Sequence, residues 1–439
     1  MRSADKAVAI IGLGYVGLPL AVQAAEKGYR VIGIDRNAEL IERVNKRISP
    51  FANDKRFARA LAGVKKSQLE ATDDASKLAG VQTVVICVPT PTDDNVPDLS
   101  YVKSAAQAAA EHLQPGQLIV LESTVNPGVT RDVVRPILEK TSGLVCGTDF
   151  YLAHCPERID PGNPTFFVGN LNRVVGGMTP ACAERAREFY ASVIDADIIE
   201  LGSSEEAEFV KSWENSHRNV MIALANEAAV ICDALGMDIH NVLKGLQSKI
   251  DQFGLKLASP GIGPGGHCIP EDIHYVIKKA RQKGIDTHFL DAAAQLNDKM
   301  PLYAVGQLRK MVKSNGEDLR KLNVTMLGLA YKENIEDARR SPAIDAAHLL
   351  VQRAKRVVLH DPHVDLKRIV ARGTEKIADL EEALKGADAV FIATAHDAYK
   401  RLTPAMFKKY GVRYVHDGRN CLDREAFIGS GVLYKGMGR

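Results

Sequence analysis

Three groups of residues in this chain have the types and spacing for chemistry. The first is Gly12-Leu13-Gly14-Tyr15-Val16-Gly17, which closes the apolar run Ala7–Leu13 and opens a helical pattern. Glycines there permit a tight turn and let backbone N–H groups approach a pyrophosphate at a helix N-terminus. Asp35 lies 18 residues after Gly17, at the end of the next apolar run. Its carboxylate suits a ribose 2′-OH and repels a 2′-phosphate, which points to NAD, while Arg36 beside it argues for NADP. The bland alternative is a fold of this type that holds no cofactor. The second group is Lys211 and Asn215, spaced i, i+4 on one helical face that Arg218 continues. An ammonium and an amide so placed can stabilise one developing oxyanion. Spacing alone fits a solvated helical face at least as well. The third group is Gly265-Gly266-His267-Cys268-Ile269-Pro270-Glu271-Asp272. Its glycines allow close approach to a substrate, and a loop cysteine can be reached and activated. Asp272, one helical turn beyond Cys268, can carry protons. A lone cysteine is more often an ordinary buried thiol, and His267 reads as structural.

The elements that must position these groups follow from periodicity. The first part alternates strand-like runs with helical patterns, as in Val31–Asp35, Val81–Pro89 and Gln117–Glu122, and reads as a parallel α/β sheet. Ser203 with Glu206 spells a capping box. A pattern free of Gly and Pro then runs to about Leu235, long enough to tie two domains together and to pair with a copy of itself. Ser259–Pro270 is crowded with Gly and Pro and reads as a loop. After Pro301 the alternation resumes with Leu322–Ala330, Arg356–Asp361 and Ala387–Thr394. Lys77–Thr90 and Leu384–His396 echo each other, so the last part reads as a second Rossmann-like domain without the glycine motif. The expected architecture is α/β: two Rossmann-like doubly wound domains joined by a long central helix and a small helical region. The expected bounds are 1–202, 203–300 and 301–439.

Composition is consistent with this. The 439 residues exceed one ordinary core. Apolar content of 46% with 25% charged residues is globular, and a net charge of +3 argues against a nucleic-acid binder. The seven cysteines form no CxxC pair, so no metal site is expected, and Cys87, Cys146, Cys182 and Cys232 read as core filler. The apolar stretch Ala7–Ala21 carries three glycines and a proline and lacks a cleavage site, so it is not read as a signal peptide. No apolar run spans a bilayer, and a cytoplasmic protein is expected.

Taken in order, GLGYVGLP, VPTP, ESTVNPG, CPERIDPG, KSWEN, GGHCIPED, GLAYKENIEDARRSP and HDGRN resemble the UDP-glucose/GDP-mannose dehydrogenase family over residues 7 to 422. The resemblance implies NAD as cofactor and oxidation of the C6 alcohol of a nucleotide sugar to a carboxylate, with two NAD used in succession. It implies that Cys268 captures the aldehyde as a thiohemiacetal and carries it through a thioester. A thiol is needed because a captured aldehyde can lose hydride. Lys211 and Asn215 match the oxyanion-stabilising pair, and Asp272 the acid that manages protons and hydrolytic water. Thr124 and Glu157 match positions that hold water or assist hydrolysis. The resemblance extends cofactor contacts to Pro89, Thr90, Thr124 and Arg339. It extends UDP-sugar contacts to Glu157, Arg158, Lys211, Asn215, Arg218, Gly265, Lys332 and Arg419. It also implies a homodimer formed through the long helix.

PERIDPGN and VPTP…PDLSYV resemble most the branch acting on UDP-N-acetylhexosamines, with UDP-N-acetylglucosamine preferred to UDP-N-acetylmannosamine or UDP-glucose. The chain departs from that branch at Ile273, where proline is usual, at His217, where an aromatic is common, and in the short segment Thr92–Val96. Two rivals stand further off. A β-hydroxyacid dehydrogenase would share the Lys-x-x-x-Asn pair but needs neither the Cys268 loop nor a second α/β domain. A non-catalytic nucleotide-sugar sensor would not need Cys268, Lys211, Asn215 and Asp272 together.

Overall fold

The computed structural model describes residues 6–51, 54–93, 96–158, 165, 167–253, 256–266 and 268–439. His267, the whole IDPGN stretch and residues 94–95 of the short segment lie outside these. The chain forms two compact units, Met1–Trp213 and Glu214–Arg439.

The first unit is built on eight short strands: β1 (Ala7–Ile11), β2 (Arg30–Ile34), β3 (Leu69–Thr72), β4 (Thr83–Ile86), β5 (Leu118–Leu121), β6 (Tyr151–His154), β7 (Arg173–Gly177) and β8 (Ile198–Leu201). Their order across the sheet is β8-β7-β6-β5-β4-β1-β2-β3. β1, β4 and β5 are buried along their whole length, as strands covered on both faces must be. The expected all-parallel sheet needs one correction: β6 and β7 run antiparallel, with Ala153 opposite Gly177. A parallel pair needs a crossover, usually helical. The described part of the β6–β7 connection holds only a single short turn, Val168–Asn170.

The second unit carries β9 (Asn323–Leu327), β10 (Arg356–His360), β11 (Glu375–Lys376), β12 (Ala389–Ile392), β13 (Tyr414–Asp417) and β14 (Leu433–Gly436). They are ordered β11-β10-β9-β12-β13-β14, all parallel. The echo between Lys77–Thr90 and Leu384–His396 proves to be part of a deeper repeat, since β4 and β12 each lie beside the first strand of their own sheet. In unit 1 the Gly12 N–H donates to Ile34 O at 2.8 Å. In unit 2 the Gly328 N–H donates to His360 O at 2.9 Å. Both glycines have φ near +90°, and a Cβ on either would lie 2.5 Å from the chain leaving β4 or β12. After each second strand comes a carboxylate, Asp35 or Asp361, that accepts N–H bonds from the turn following the first strand. The repeat ends there. Gly17 opens helix α1 (Gly17–Glu26) in the first unit, whereas Gly328 leads into an irregular stretch.

Helix α2 (Ser204–Leu235) starts and stops where its pattern does. Its N-terminus has half of the expected box: Ser203 Oγ accepts the Glu206 N–H at 3.2 Å, but the Glu206 carboxylate takes the Gly202 N–H at 2.7 Å and not that of Ser203. The Ser259–Pro270 loop is shorter than expected. Helix α3 (Cys268–Arg281) begins at the cysteine, because proline is tolerated in a first turn where no N–H partner is needed. α3 is followed by helix α4 (His288–Ser314), which contains Pro301. Cys87, Cys182 and Cys232 are buried as core filler, while Cys146 is only half-buried.

Candidate active site

In unit 1 the glycine turn has three different steric settings. A Cβ on Gly12 would meet the Cys87 carbonyl oxygen at 2.5 Å, and one on Gly17 would meet Gly12 O at 2.0 Å. Those two glycines serve the chain's own packing. A Cβ on Gly14 would meet nothing within 4 Å beyond its chain neighbours, so there the backbone is open to another molecule. Asp35 holds the turn in place: Oδ2 accepts the Leu13 N–H at 2.8 Å and Oδ1 the Asn37 N–H at 2.9 Å. Tyr15 is exposed and stacks nearly flat on Phe51, with centroids 4.6 Å apart. Phe51 has no counterpart in the motif, and only the structure reveals it. Val16 is the N-cap of α1. Arg36 donates to the Ser104 hydroxyl. Pro89 is exposed and Thr90 half-buried. Such an open helix start with a carboxylate at the end of the neighbouring strand fits the pyrophosphate and ribose of a dinucleotide.

Thr124 follows β5, and two hydroxyls pin its loop: Thr90 Oγ1 donates to Thr124 O at 2.8 Å and Ser123 Oγ to Val88 O at 2.7 Å. The far end is held by Glu208 on α2, a residue that the spacing argument passed over although it lies one turn before Lys211. Its carboxylate accepts the Gly128 N–H at 2.5 Å, the Thr130 N–H at 2.7 Å and the Thr130 hydroxyl at 2.6 Å. Burial pushes this carboxyl up to about 7, against the pull of those hydrogen bonds and with repulsion from Glu205 added. Lys211 is buried, and its Nζ lies 3.5 Å from Glu157 Oε2. Burial raises the Glu157 carboxyl, while Lys211 and Arg173 lower it. Arg173 itself forms a fully buried pair with Glu122. Arg158 donates to Asn172 O at 3.0 Å.

In unit 2, Asn215 Nδ2 donates to Asp272 Oδ2 at 2.6 Å, and both side chains are buried. Lys211 and Asn215 therefore share a helix face, as their spacing requires, but each meets a carboxylate of its own. Arg218, seven residues after Lys211, falls on the same side of the helix by its spacing. It is exposed, and Asn219, one full turn beyond Asn215, takes the buried position. Cys268 is exposed at the first position of α3, in the electropositive end of the helix dipole. The preceding loop packs tightly. A Cβ on Gly265 would lie 2.6 Å from Tyr331 Cβ, and one on Gly261 would lie 2.6 Å from Arg419 Nη1. This brings Arg419 against the start of the cysteine loop, where Arg419 Nε donates to Ala393 O at 3.0 Å. Lys332 is half-buried on the stretch after β9. Arg339 is exposed and grips Asp337 with Nε at 3.0 Å and Nη2 at 2.6 Å.

Comparison with known proteins separates the possible readings. Residues 6–194 match the NAD-binding domain of the UDP-glucose/GDP-mannose dehydrogenase family, 205–299 its central domain and 325–424 its UDP-binding domain. The chain belongs to that family. It is an NAD-dependent nucleotide-sugar 6-dehydrogenase. It is 34% identical over 433 residues to a UDP-N-acetyl-D-mannosamine dehydrogenase of Pyrococcus horikoshii, covering 98% of this chain and 99% of the relative. It is 33% identical over 413 residues to a UDP-N-acetyl-D-glucosamine 6-dehydrogenase of Pseudomonas aeruginosa, covering 93% and 94%. An NDP-N-acetyl-D-galactosaminuronic acid dehydrogenase structure from Methanosarcina mazei superimposes with a TM-score of 0.88 at 32% identity, over 99% of this chain and 95% of that one.

Two outcomes are expected of this dehydrogenase. Because a carboxylate at the end of β2, Asp35, would repel a 2′-phosphate, kcat/KM for NAD should exceed that for NADP at least about tenfold, and Asp35→Asn should narrow the gap. Equal steady-state rates with both cofactors would count against it. The second concerns Glu208, whose folded value lies above its ordinary 4.5. The stability this group contributes is complete below pH 4.5 and is lost as pH rises through 7. Glu208→Gln stays neutral, so it should gain on the wild type from about pH 5 to about pH 8, by at most about 3 kcal/mol. Urea unfolding at both pH values reads this gap, and a gap that does not change with pH refutes it.

Proposed function

We propose that this dehydrogenase oxidises the C6 alcohol of a UDP-N-acetylhexosamine, with UDP-N-acetylglucosamine as first choice, to the uronate through a covalent Cys268 intermediate. The observation that carries the reading is the 2.6 Å bond from Asn215 to Asp272, whose helix opens at Cys268. Lys211 lies one turn before Asn215 on α2. A nucleophile, an acid and two oxyanion donors are thus linked through two helices and one hydrogen bond.

The Gly12–Gly17 turn and Asp35 would hold NAD, which would supply the hydride acceptor for each oxidation. Lys211 and Asn215 present an ammonium and an amide to the oxygen on C6. The Cys268 sulfur adds to the aldehyde carbon, a C–S bond forms, and the carbonyl oxygen gains a proton. Loss of hydride from that carbon, with the hydroxyl proton passing to Asp272, leaves a thioester. Asp272 and Glu157 hold water and accept its proton as it attacks. The C–S bond breaks, Cys268 leaves as thiolate and the uronate is released. Thr124, fixed by Thr90 and by the Glu208 anchor, orders water beside Glu157. Lys332, Arg339 and Arg419, with Arg158, Arg218 and the Gly265 backbone, serve the nucleotide sugar and the cofactor.

UDP-N-acetylglucosamine is favoured by PERIDPGN and PDLSYV. UDP-N-acetylmannosamine is the second reading, favoured by the Pyrococcus relative. The working unit is a homodimer, a reading supported by Phe209, Trp213, Leu224, Ile231 and Leu235, which α2 leaves exposed. The protein is placed in the cytoplasm with no membrane or nucleic-acid partner. Among the described residues no helix is long and apolar enough to cross a membrane.

A panel of UDP-sugars assayed for NADH tests the substrate. The N-acetyl sugar should exceed UDP-glucose in kcat/KM by about 10-fold or more, since an acetamido pocket leaves polar groups unpaired without it. A preference for UDP-glucose overturns the branch. Cys268→Ala should abolish acid formation, and acid made at the wild-type rate would show the thiol to be mere packing.

A further inference from the structure

The loop before Cys268 is tied down at both ends by carboxamides that take no part in the oxidation steps. At its start, Asn226 Oδ1 on α2 accepts the Gly261 N–H at 2.8 Å. At its end, Asn219 Nδ2, seven residues earlier on the same helix, donates to Ile269 O at 3.2 Å. Asn297 on α4 joins the two. Its Oδ1 accepts from Asn226 Nδ2 at 2.9 Å, and its Nδ2 donates to Asn219 O and Oδ1, both at 2.9 Å. All three are buried, at 2%, 0% and 3% exposure for Asn219, Asn226 and Asn297. Gly263 in mid-loop has φ +105°, and a Cβ there would lie 2.9 Å from Asn297 O.

The chain of bonds has one direction. Each amide accepts on oxygen and donates from nitrogen, so reversing any one of them sets donor against donor or acceptor against acceptor. Buried in this way, the three side chains have single rotamers, and the backbone at Gly261 and Ile269 inherits that fixity. Ile269 is the residue after Cys268, so its carbonyl anchor sets the path of the chain through the thiol.

We propose that Asn219, Asn226 and Asn297 form a carboxamide clamp that positions Cys268 for aldehyde capture. They are positioning residues, since none is assigned contact with substrate or cofactor, and the proposal rests on the reading of Cys268 as the nucleophile. A misplaced thiol captures more slowly, which gives the aldehyde time to leave. The consequence is a change in product, distinct from a general loss of rate. The wild type forms two NADH per sugar consumed, while a clamp variant falls toward one and releases aldehyde. Because no member of the clamp titrates, the ratio of variant to wild-type rate stays level with pH for a variant such as Asn219→Ser that adds no ionisable group.

The experiment uses the full chain and two variants. Asn219→Ser removes the Ile269 anchor, and Asn297→Asp keeps the shape but removes the donor to Asn219. NADH per sugar is measured with hydroxylamine present to trap aldehyde, alongside iodoacetamide labelling of the Cys268 peptide followed by mass spectrometry. Should one variant fail to fold, the other carries the test. Expected are a ratio below two, trapped aldehyde and a Cys268 labelling rate changed by about threefold or more, with KM for the sugar little altered. A folded variant that keeps two NADH per sugar and wild-type labelling overturns the clamp, while Cys268→Ala remains inactive. If Cys268→Ala instead makes acid at the wild-type rate, the nucleophile reading falls and the clamp with it, and the two failures are told apart by that control.

Discussion

Helix α2 buries a polar stripe, and burial forces every member of that stripe to find a partner. A carboxylate, ammonium or amide taken out of water without one costs several kcal/mol. Glu208 answers with the Gly128 and Thr130 N–H groups, and Lys211 with Glu157. Asn215 answers with Asp272, Asn219 with Ile269 O, and Asn226 with Gly261 N. These partners sit on loops or helix starts in or beside the family motifs. One continuous helix thereby sets the backbone path of the Thr124 loop and the cysteine loop, each within its own unit. An apolar stripe would pack as well but would hold no loop in register.

The two sheets solve the same problem at their turns. Asp35 and Asp361 each follow a second strand and take the N–H groups of the turn after the first. Asp361 takes more: Leu329, Ala330, His363 and Val364 donate to it, as does His396 Nε2 at 3.0 Å. Those bonds hold its carboxyl well below the ordinary range despite burial. His396 Nδ1 accepts the Asn334 N–H at 2.8 Å, so the ring bridges the carboxylate and the stretch bearing Lys332. The first unit uses the lighter version and leaves its turn open at Gly14. The second closes its turn with side chains.

Much of this is legible in the sequence, because steric demands are local. Gly12 and Gly17 announce a turn that no other residue fits, and the Gly- and Pro-free run to Leu235 announces the helix. The same holds for Gly261, Gly265 and Gly266, whose close packing against Arg419 and Tyr331 leaves no room for a Cβ. Partnerships are not local, and there sequence reading stops. Spacing puts Lys211 and Asn215 on one face but cannot say that each will meet a different carboxylate. It extends the face to Arg218 without telling that this residue is exposed while Asn219 beside it is buried. It reads Pro270 as loop, although proline suits a first turn. Glu208 and Asn297 look like ordinary helical residues until partners such as Thr130 and Asn219, each 78 residues away, are known.

The central claim is that the thiol of Cys268 becomes acylated and that Lys211 is needed to hydrolyse the resulting thioester. Intact-protein mass spectrometry of Lys211→Ala, exposed briefly to the UDP-sugar and NAD, addresses it directly. The account predicts an added nucleotide-sugar acyl mass that vanishes when Cys268→Ala is combined with it. An adduct that survives the loss of Cys268, or a variant that turns over substrate without ever carrying one, contradicts the account.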